Sequence, residues 1–168
     1  PLTIMSENKS IQLGLCCLNT ILRERNPPIY SSRRMIIRTI KEKGINALTD
    51  KIIQNLKDTI QLIRWNEING IKVFRISSEL FPHKSNPKVE DYDFDFCLDL
   101  LKQIGDKSKK LNQRLTFHPG QYNVIGTPEE SKLTQTINDL SYHADVLDMI
   151  GVDKDGVMVI HGGGTYGD

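Results

Sequence analysis

Arg114-Leu115-Thr116-Phe117-His118-Pro119-Gly120-Gln121-Tyr122 decides the fold. A short apolar-biased strand, Arg114 to Phe117, runs into a histidine. Pro119 and Gly120 then turn the chain sharply and fix the loop that carries Gln121 and Tyr122. A histidine at a strand end can offer an unprotonated nitrogen to a metal. An amide and an aromatic ring beside it suit a nucleic-acid ligand, whose bases stack on rings.

The same plan of strand, polar residue, loop and helix recurs along the chain. Residues 1–10 are polar and read as a loose end. Ile11 to Leu18 is an apolar run, read as the first strand and ending at Asn19. Pro27, Pro28, Ser31 and Ser32 mark residues 20–33 as a loop. Arg33 to Lys43 reads as a helix with Met35, Ile36, Ile37 and Ile40 on its apolar face, stopped by Gly44. Thr49 or Asp50 can cap the next helix, whose face is Ile52, Leu56, Ile60 and Ile63. Gly70 closes it as a C′ glycine.

The second strand is Ile71 to Ile76, followed by Ser77-Ser78-Glu79 and a loop holding Pro82, His83 and Pro87. The acidic stretch Glu90 to Asp95 opens a third helix with Phe96, Cys97, Leu100, Leu101 and Ile104 on its face, where its charges complement the helix dipole. After the third strand, Leu133, Ile137, Leu140, Ala144 and Leu147 define another helix, ended by Gly151. A fourth strand, Gly156 to Ile160, delivers His161 into Gly162-Gly163-Gly164-Thr165-Tyr166-Gly167-Asp168.

Four strands with helices between them and no hairpin signal argue a parallel α/β sheet. A doubly wound sheet and a (β/α) TIM-type barrel compete. No glycine fingerprint follows the first strand, which disfavours dinucleotide binding. The polar residues Asn19, Ser77, His118 and His161 gather at strand C-terminal ends, where a barrel keeps its active site. A whole barrel needs about 250 residues, so the 168 residues here read as a single domain comprising the first four βα units of a longer barrel. Such a half-barrel leaves an apolar inner face and edge strands uncovered.

Composition limits the function. With 38% apolar and 26% charged residues the chain reads as folded and soluble. A formal net charge of +1 creates no global attraction to nucleic acid, so any such contact falls to local patches. Arg23, Arg25, Arg33 and Arg34 flank the loop after the first strand and could touch phosphates or form a solvated face with Glu24. Lys102, Lys107, Lys109 and Lys110 end the third helix on the opposite rim and read as dipole and solubility residues. Cys16, Cys17 and Cys97 lack metal-type spacing and read as reduced core residues of an intracellular protein. No apolar run approaches membrane-spanning length.

His83, His118 and His161 lie at or just beyond strand ends. Neighbouring parallel strands are about 5 Å apart, so His118 and His161 can hold one divalent ion between them, with carboxylates from elsewhere. Singly, such histidines serve more often as hydrogen-bonded structural residues. His143 lies mid-helix, off the apolar stripe, and reads as structural or supporting. The three glycines after His161 can bring backbone close to a phosphate, although flexible turns use the same residues.

Taken together, Phe74 to His83, Arg114 to Tyr122, Asp139 to Ala144 and Ile160 to Asp168 resemble the UV-damage endonuclease family over about Leu13 to Asp168. The resemblance implies a TIM-like barrel and a cluster of divalent metals, manganese foremost with zinc or magnesium as alternatives. It further implies hydrolysis of double-stranded DNA 5′ to a UV photoproduct by an intracellular monomer that binds no membrane. Under it His118 and His161 match metal ligands, and His83 matches a catalytic histidine near the cleaved phosphate. Gln121 and Tyr122 match the pair that probes the lesion, and Asn19 a residue facing the damaged bases. Leu15 departs from a tyrosine found four residues before that asparagine. Glu79 and Asp168 are rim carboxylates that match no family ligand, so these residues are expected to bind metal weakly on their own and to be inactive or nearly so. An AP endonuclease, a metal-dependent sugar isomerase or epimerase of the same barrel class, and a non-catalytic DNA-binding half-domain remain as alternatives.

Overall fold

The computed structural model describes residues 11–154 and 156–163. The loose end at 1–10, most of the glycine loop and Asp168 lie outside the described residues. Four parallel strands, β1 (Gly14–Cys16), β2 (Val73–Ile76), β3 (Arg114–Phe117) and β4 (Val157–Met158), form one sheet in chain order. Val73 pairs with Arg114, Gly14 with Val73 and Thr116 with Val157. A doubly wound sheet reverses its strand order at a switch point; this one does not. It takes up each new strand on the same side, as a TIM-type barrel does.

The helices are α1 (Thr20–Arg23), α2 (Ile37–Lys43), α3 (Ile45–Ile68), α4 (Leu98–Lys110) and α5 (Glu130–Ile150). α3 packs on α4 and α4 on α5, making a single helical layer over the sheet. Strand side chains alternate between faces. Phe74, Ile76, Leu115 and Phe117 point into the helical layer and are at most 1% exposed. There they meet Ile52, Leu56 and Ile63 of α3, Leu101 and Ile104 of α4, and Val146 of α5. Val157 and Val159 stay exposed, as expected for the uncovered inner face.

Three helix ends share one device. The Ile71 N–H reaches the Asn66 carbonyl and the Gly70 N–H reaches Glu67, the paired bonds of a Schellman motif. Gln113 and Asn112 bond Ser108 and Lys109 in the same way, as Val152 and Gly151 bond Leu147 and Asp148. Gly70, Asn112 and Gly151 all have positive φ. The motifs at Gly70 and Asn112 feed the chain directly into β2 and β3 and so set where those strands begin, whereas five residues separate Gly151 from β4. Close helix packing also depends on Gly105, where an added Cβ would fall 1.8 Å from the Ile150 carbonyl oxygen.

Several expectations are corrected. The first strand shrinks to Gly14–Cys16, and α1 occupies part of the expected 20–33 loop. Cys16 is exposed and Cys17 half-buried; only Cys97 of the three belongs to the core. Cys16 alternates with Leu15 and so faces away from the helices. Burial, with Asp93 nearby, pushes the Cys97 thiol up to about 12.

α2 starts at Ile37 rather than Arg33, because Arg33 is committed elsewhere. Its guanidinium pairs with Asp58 at 2.7 Å, and its N–H donates to Asn55 Oδ1 at 2.9 Å. Those contacts hold the preceding segment extended and remove Arg33 from the candidate phosphate contacts. Arg34 likewise pairs with Glu79 at 2.8 Å. α3 starts at Ile45, directly after Gly44, so Thr49 and Asp50 lie inside the helix rather than capping it. Leu48, fully buried, explains the earlier start. The second strand begins at Val73, and the fourth covers only Val157 and Met158. Phe96 and Ile137 prove exposed. No helix among the described residues is long and apolar enough to cross a membrane.

Candidate active site at the C-terminal rim

Each strand end delivers a polar residue to one rim. His118 directly follows β3, and His161 follows the β4 segment. Their Nε2 atoms lie 2.8 Å apart, with the rings edge to face at 4.8 Å between centroids. Arg75, on the inner side of β2, places Nη1 3.3 Å from His118 Nδ1. A guanidinium only donates, so His118 Nδ1 accepts and its proton sits on Nε2, shared towards His161. Desolvation, then the charge of Arg75, then His161 lower the His118 pKa. The lowered pKa favours the neutral ring, but in this tautomer Nε2 carries the proton, so holding an ion through Nε2 would move that proton to Nδ1 and turn Arg75 Nη1 away.

Two imidazole nitrogens each about 2.1 Å from one ion at right angles would be about 3 Å apart. The observed 2.8 Å is close to that spacing but is itself the length of the His118–His161 hydrogen bond, so the rings would part slightly to share a divalent ion. The shell they offer is partial, since no group of three or more histidine, cysteine or carboxylate side chains converges among the described residues. Glu79, the described rim carboxylate considered for such a role, is occupied by Arg34.

His83 sits in the loop after β2 with φ +66°, a left-handed conformation that costs a residue with a Cβ about 1–2 kcal/mol. Its Nε2 donates to the Met35 carbonyl at 2.7 Å, and its Nδ1 accepts from Asn86 Nδ2 at 3.2 Å. Both ring nitrogens are thus engaged, so proton transfer by His83 requires one of these partners to let go.

Gly120 to Asn123 forms a tight turn. The Asn123 N–H and its side-chain amide both donate to the Gly120 carbonyl, at 3.0 and 3.1 Å. Gln121 and Tyr122 occupy its tip, with Tyr122 88% exposed. Asn19 behaves differently. It caps α1, accepting the Leu22 N–H on Oδ1 at 2.9 Å, and is 4% exposed. Its Nδ2 is buried without a protein partner among the described residues. Leu15 packs against the core, on the helix-covered face of the sheet with its register partner Phe74.

A cavity of about 520 Å³ opens between the His83 loop, the Gln121–Tyr122 turn and α5. His143 lines it and is 1% exposed, which corrects its placement off the buried face of α5. Its Nδ1 donates to the Asp139 carbonyl at 2.7 Å, and its ring meets Phe117 edge-on at 4.8 Å. Burial lowers its pKa against the opposing pull of the Asp139 carbonyl and carboxylate. Burial likewise raises the Tyr142 hydroxyl well above its ordinary range. Arg75 and Asp139 fall within the family-like motifs, but the sequence alone assigns neither a role. The signals for them were the alternation of β2, which turns Arg75 inward, and the i, i+4 spacing of Asp139 and His143 on one helix.

A parallel sheet built in chain order, with imidazoles, amides and a tyrosine gathered where its strands end, is the layout of a barrel-type α/β enzyme. The model of the family described as UV-endonuclease UvdE matches residues 11–168, and the chain belongs to that family. A relative from Acanthamoeba polyphaga mimivirus is 42% identical, over 94% of this chain and 48% of its own length. The UV-damage endonuclease of Schizosaccharomyces pombe is 40% identical, over 92% of this chain and 26% of its own. The crystal structure of SacUVDE superposes with a TM-score of 0.81 at 27% identity, covering 94% of this chain and 51% of that one. The chain therefore spans about half, or less, of the length of these relatives.

Proposed function

We propose that these residues form half of the catalytic barrel of a DNA repair endonuclease. It hydrolyses the phosphodiester 5′ to a UV photoproduct with bound divalent metal, manganese foremost. The observation that carries the proposal is the 2.8 Å His118–His161 pair on the same rim as the projecting Tyr122. A sugar isomerase would use the histidines but has no need of an exposed aromatic turn.

In this reading His118 and His161 hold a divalent ion, with further ligands from the remainder of the protein. Divalent-ion chemistry at that pair supplies an activated water and charge stabilisation at the phosphate. The protein's own contribution is positioning. A photoproduct is already poorly paired and stacked, so drawing it out of the duplex costs less than for a normal base. Tyr122 stacks in the resulting gap and Gln121 offers its amide to the orphaned partner bases. Asn19 Nδ2, without a partner among the described residues at the start of α1, is a donor for the lesion side. His83 lies at the phosphate side of the cavity and exchanges its Asn86 or Met35 contact for substrate. The whole protein acts as a monomer in the compartment that holds the DNA.

The test is nicking of supercoiled plasmid by the full-length protein, with untreated, UV-irradiated and depurinated DNA, each in manganese or chelator. Manganese-dependent nicking of the irradiated plasmid above the others is expected. Preference for depurinated plasmid would replace the reading with an AP endonuclease, and no nicking at all would overturn it.

A further inference from the structure

The proposed reaction draws its working residues from two irregular segments: the loop after β2 with His83 and the turn after β3 with Gln121 and Tyr122. Catalytic groups must be held to a fraction of an ångström, and loops achieve this only when something ties them down.

Asp139 of α5 reaches both segments. Its Oδ1 accepts the Ser85 hydroxyl. Its Oδ2 accepts Asn123 Nδ2 at 2.6 Å. Ser85 lies two residues beyond His83 and one before Asn86, which bonds the His83 ring. Asn123 is the residue that closes the Gln121–Tyr122 turn. The Asp139 side chain is 17% exposed, so both bonds are shielded, and charge-assisted bonds of this kind are roughly twice as strong as neutral ones. The main chain of Asp139 is itself fixed by the buried His143 ring.

We propose that Asp139 is a positioning residue that locks the His83 loop and the Gln121–Tyr122 turn into one relative arrangement across the cavity, without touching DNA. The role in incision rests on the endonuclease reading; the clamp itself does not. A carboxylate suits the site because it accepts from both groups with charge assistance. Asparagine could still accept from Asn123 and donate to the Ser85 hydroxyl, but only through weaker neutral bonds, whereas alanine removes both. Releasing the clamp also frees His83, whose left-handed backbone persists only while its surroundings enforce it.

Two measurements on the full-length protein test this. In hydrogen exchange, Asn123→Ala should speed amide exchange at residues 83–86, although the substitution lies in the other segment. In single-turnover incision of irradiated DNA, Asp139→Ala should lower the rate about 10–100-fold, the usual range for residues that orient working groups, and Asp139→Asn should lower it less. Manganese affinity should stay near the parent value, and the variants should remain folded at the assay temperature. The double variant Ser85→Ala/Asn123→Ala should reproduce the Asp139→Ala loss, and adding Asp139→Ala to it should cost little more. Unchanged exchange at 83–86 would overturn the clamp. So would an incision loss that is additive across the three positions or tracks global stability. A parent protein that fails to cut irradiated DNA, while Asn123→Ala still loosens 83–86, would sink the endonuclease reading and uphold the clamp.

Discussion

His118 and His161, 43 residues apart in sequence, bring their Nε2 atoms to 2.8 Å because β3 and β4 are neighbours in the sheet. Without an ion the rings share one hydrogen bond; with an ion both lone pairs must turn to it. The two rings then act as one unit. His118→Ala and His161→Ala should each lower manganese affinity of the full-length protein at least tenfold. The double variant should bind no more weakly than the worse single. Calorimetric titration checks this, and additive losses would mean that the two rings do not share an ion.

Tyr122 makes the opposite kind of prediction, because at 88% exposure it contributes little to folding. Stacking of a base on an aromatic side chain is worth about 1–3 kcal/mol by alanine substitution, or about 5–150-fold. Tyr122→Ala should reduce the preference for irradiated over intact duplex by that factor, with metal content and unfolding midpoint unchanged. Binding of both duplexes by anisotropy gives the ratio. Loss of metal in this variant would count against the assigned role.

The fold was largely legible because its signals are local. Gly70 and Gly151 mark helix ends through a conformation that favours glycine, and the apolar spacing of α3 defines its buried face. Asn112 ends α4 by the same backbone device, but asparagine also occurs in many other settings and so gave no warning. The site was legible at the histidines and the Gln121–Tyr122 turn. It was hidden at Asp139, whose partner Ser85 lies 54 residues away, a contact that no periodicity encodes. The buried face of α5 was only partly legible for a related reason. His143 and Thr136 are polar yet buried, and in His143 the ring proton is satisfied by the Asp139 carbonyl. The apolar stripe therefore lay beside the buried face rather than on it, sharing Leu147 with it while Ile137 is exposed.

Gly105 tests the helical layer. A Cβ there would lie 1.8 Å from the Ile150 carbonyl oxygen, and a backbone atom cannot rotate away as a side chain can. Overpacking of this sort costs about 1–3 kcal/mol and occasionally more, against about 1 kcal/mol gained in helix propensity. Gly105→Ala should lower the urea midpoint, whereas Gly126→Ala, where an added Cβ meets nothing within 4 Å, should leave it nearly unchanged. Equal midpoints for the two variants would show that α4 and α5 can separate at no cost.

His143 predicts a pH dependence with a definite sign. Its pKa in the folded protein is lowered from the ordinary 6.5, chiefly by burial. The groups facing it are the Asp139 carboxylate on its own helix, the Tyr142 hydroxyl at 3.3 Å and, from β3, the uncharged Phe117 ring. Well above pH 6.5 the ring is neutral both folded and unfolded, and it contributes no slope. As pH falls below 6.5 the unfolded chain takes up the proton first, so stability declines until the folded pKa is passed. The slope is at most about 1.4 kcal/mol per pH unit for one proton. Urea midpoints of the full-length protein should therefore fall between pH 7 and pH 5. In His143→Gln, whose amide can still donate to the Asp139 carbonyl, the fall should be smaller even though the midpoint at pH 7 is lower. An identical pH profile in that variant would mean that burial does not hold His143 neutral, and that the polar face of α5 tolerates a charge against Phe117.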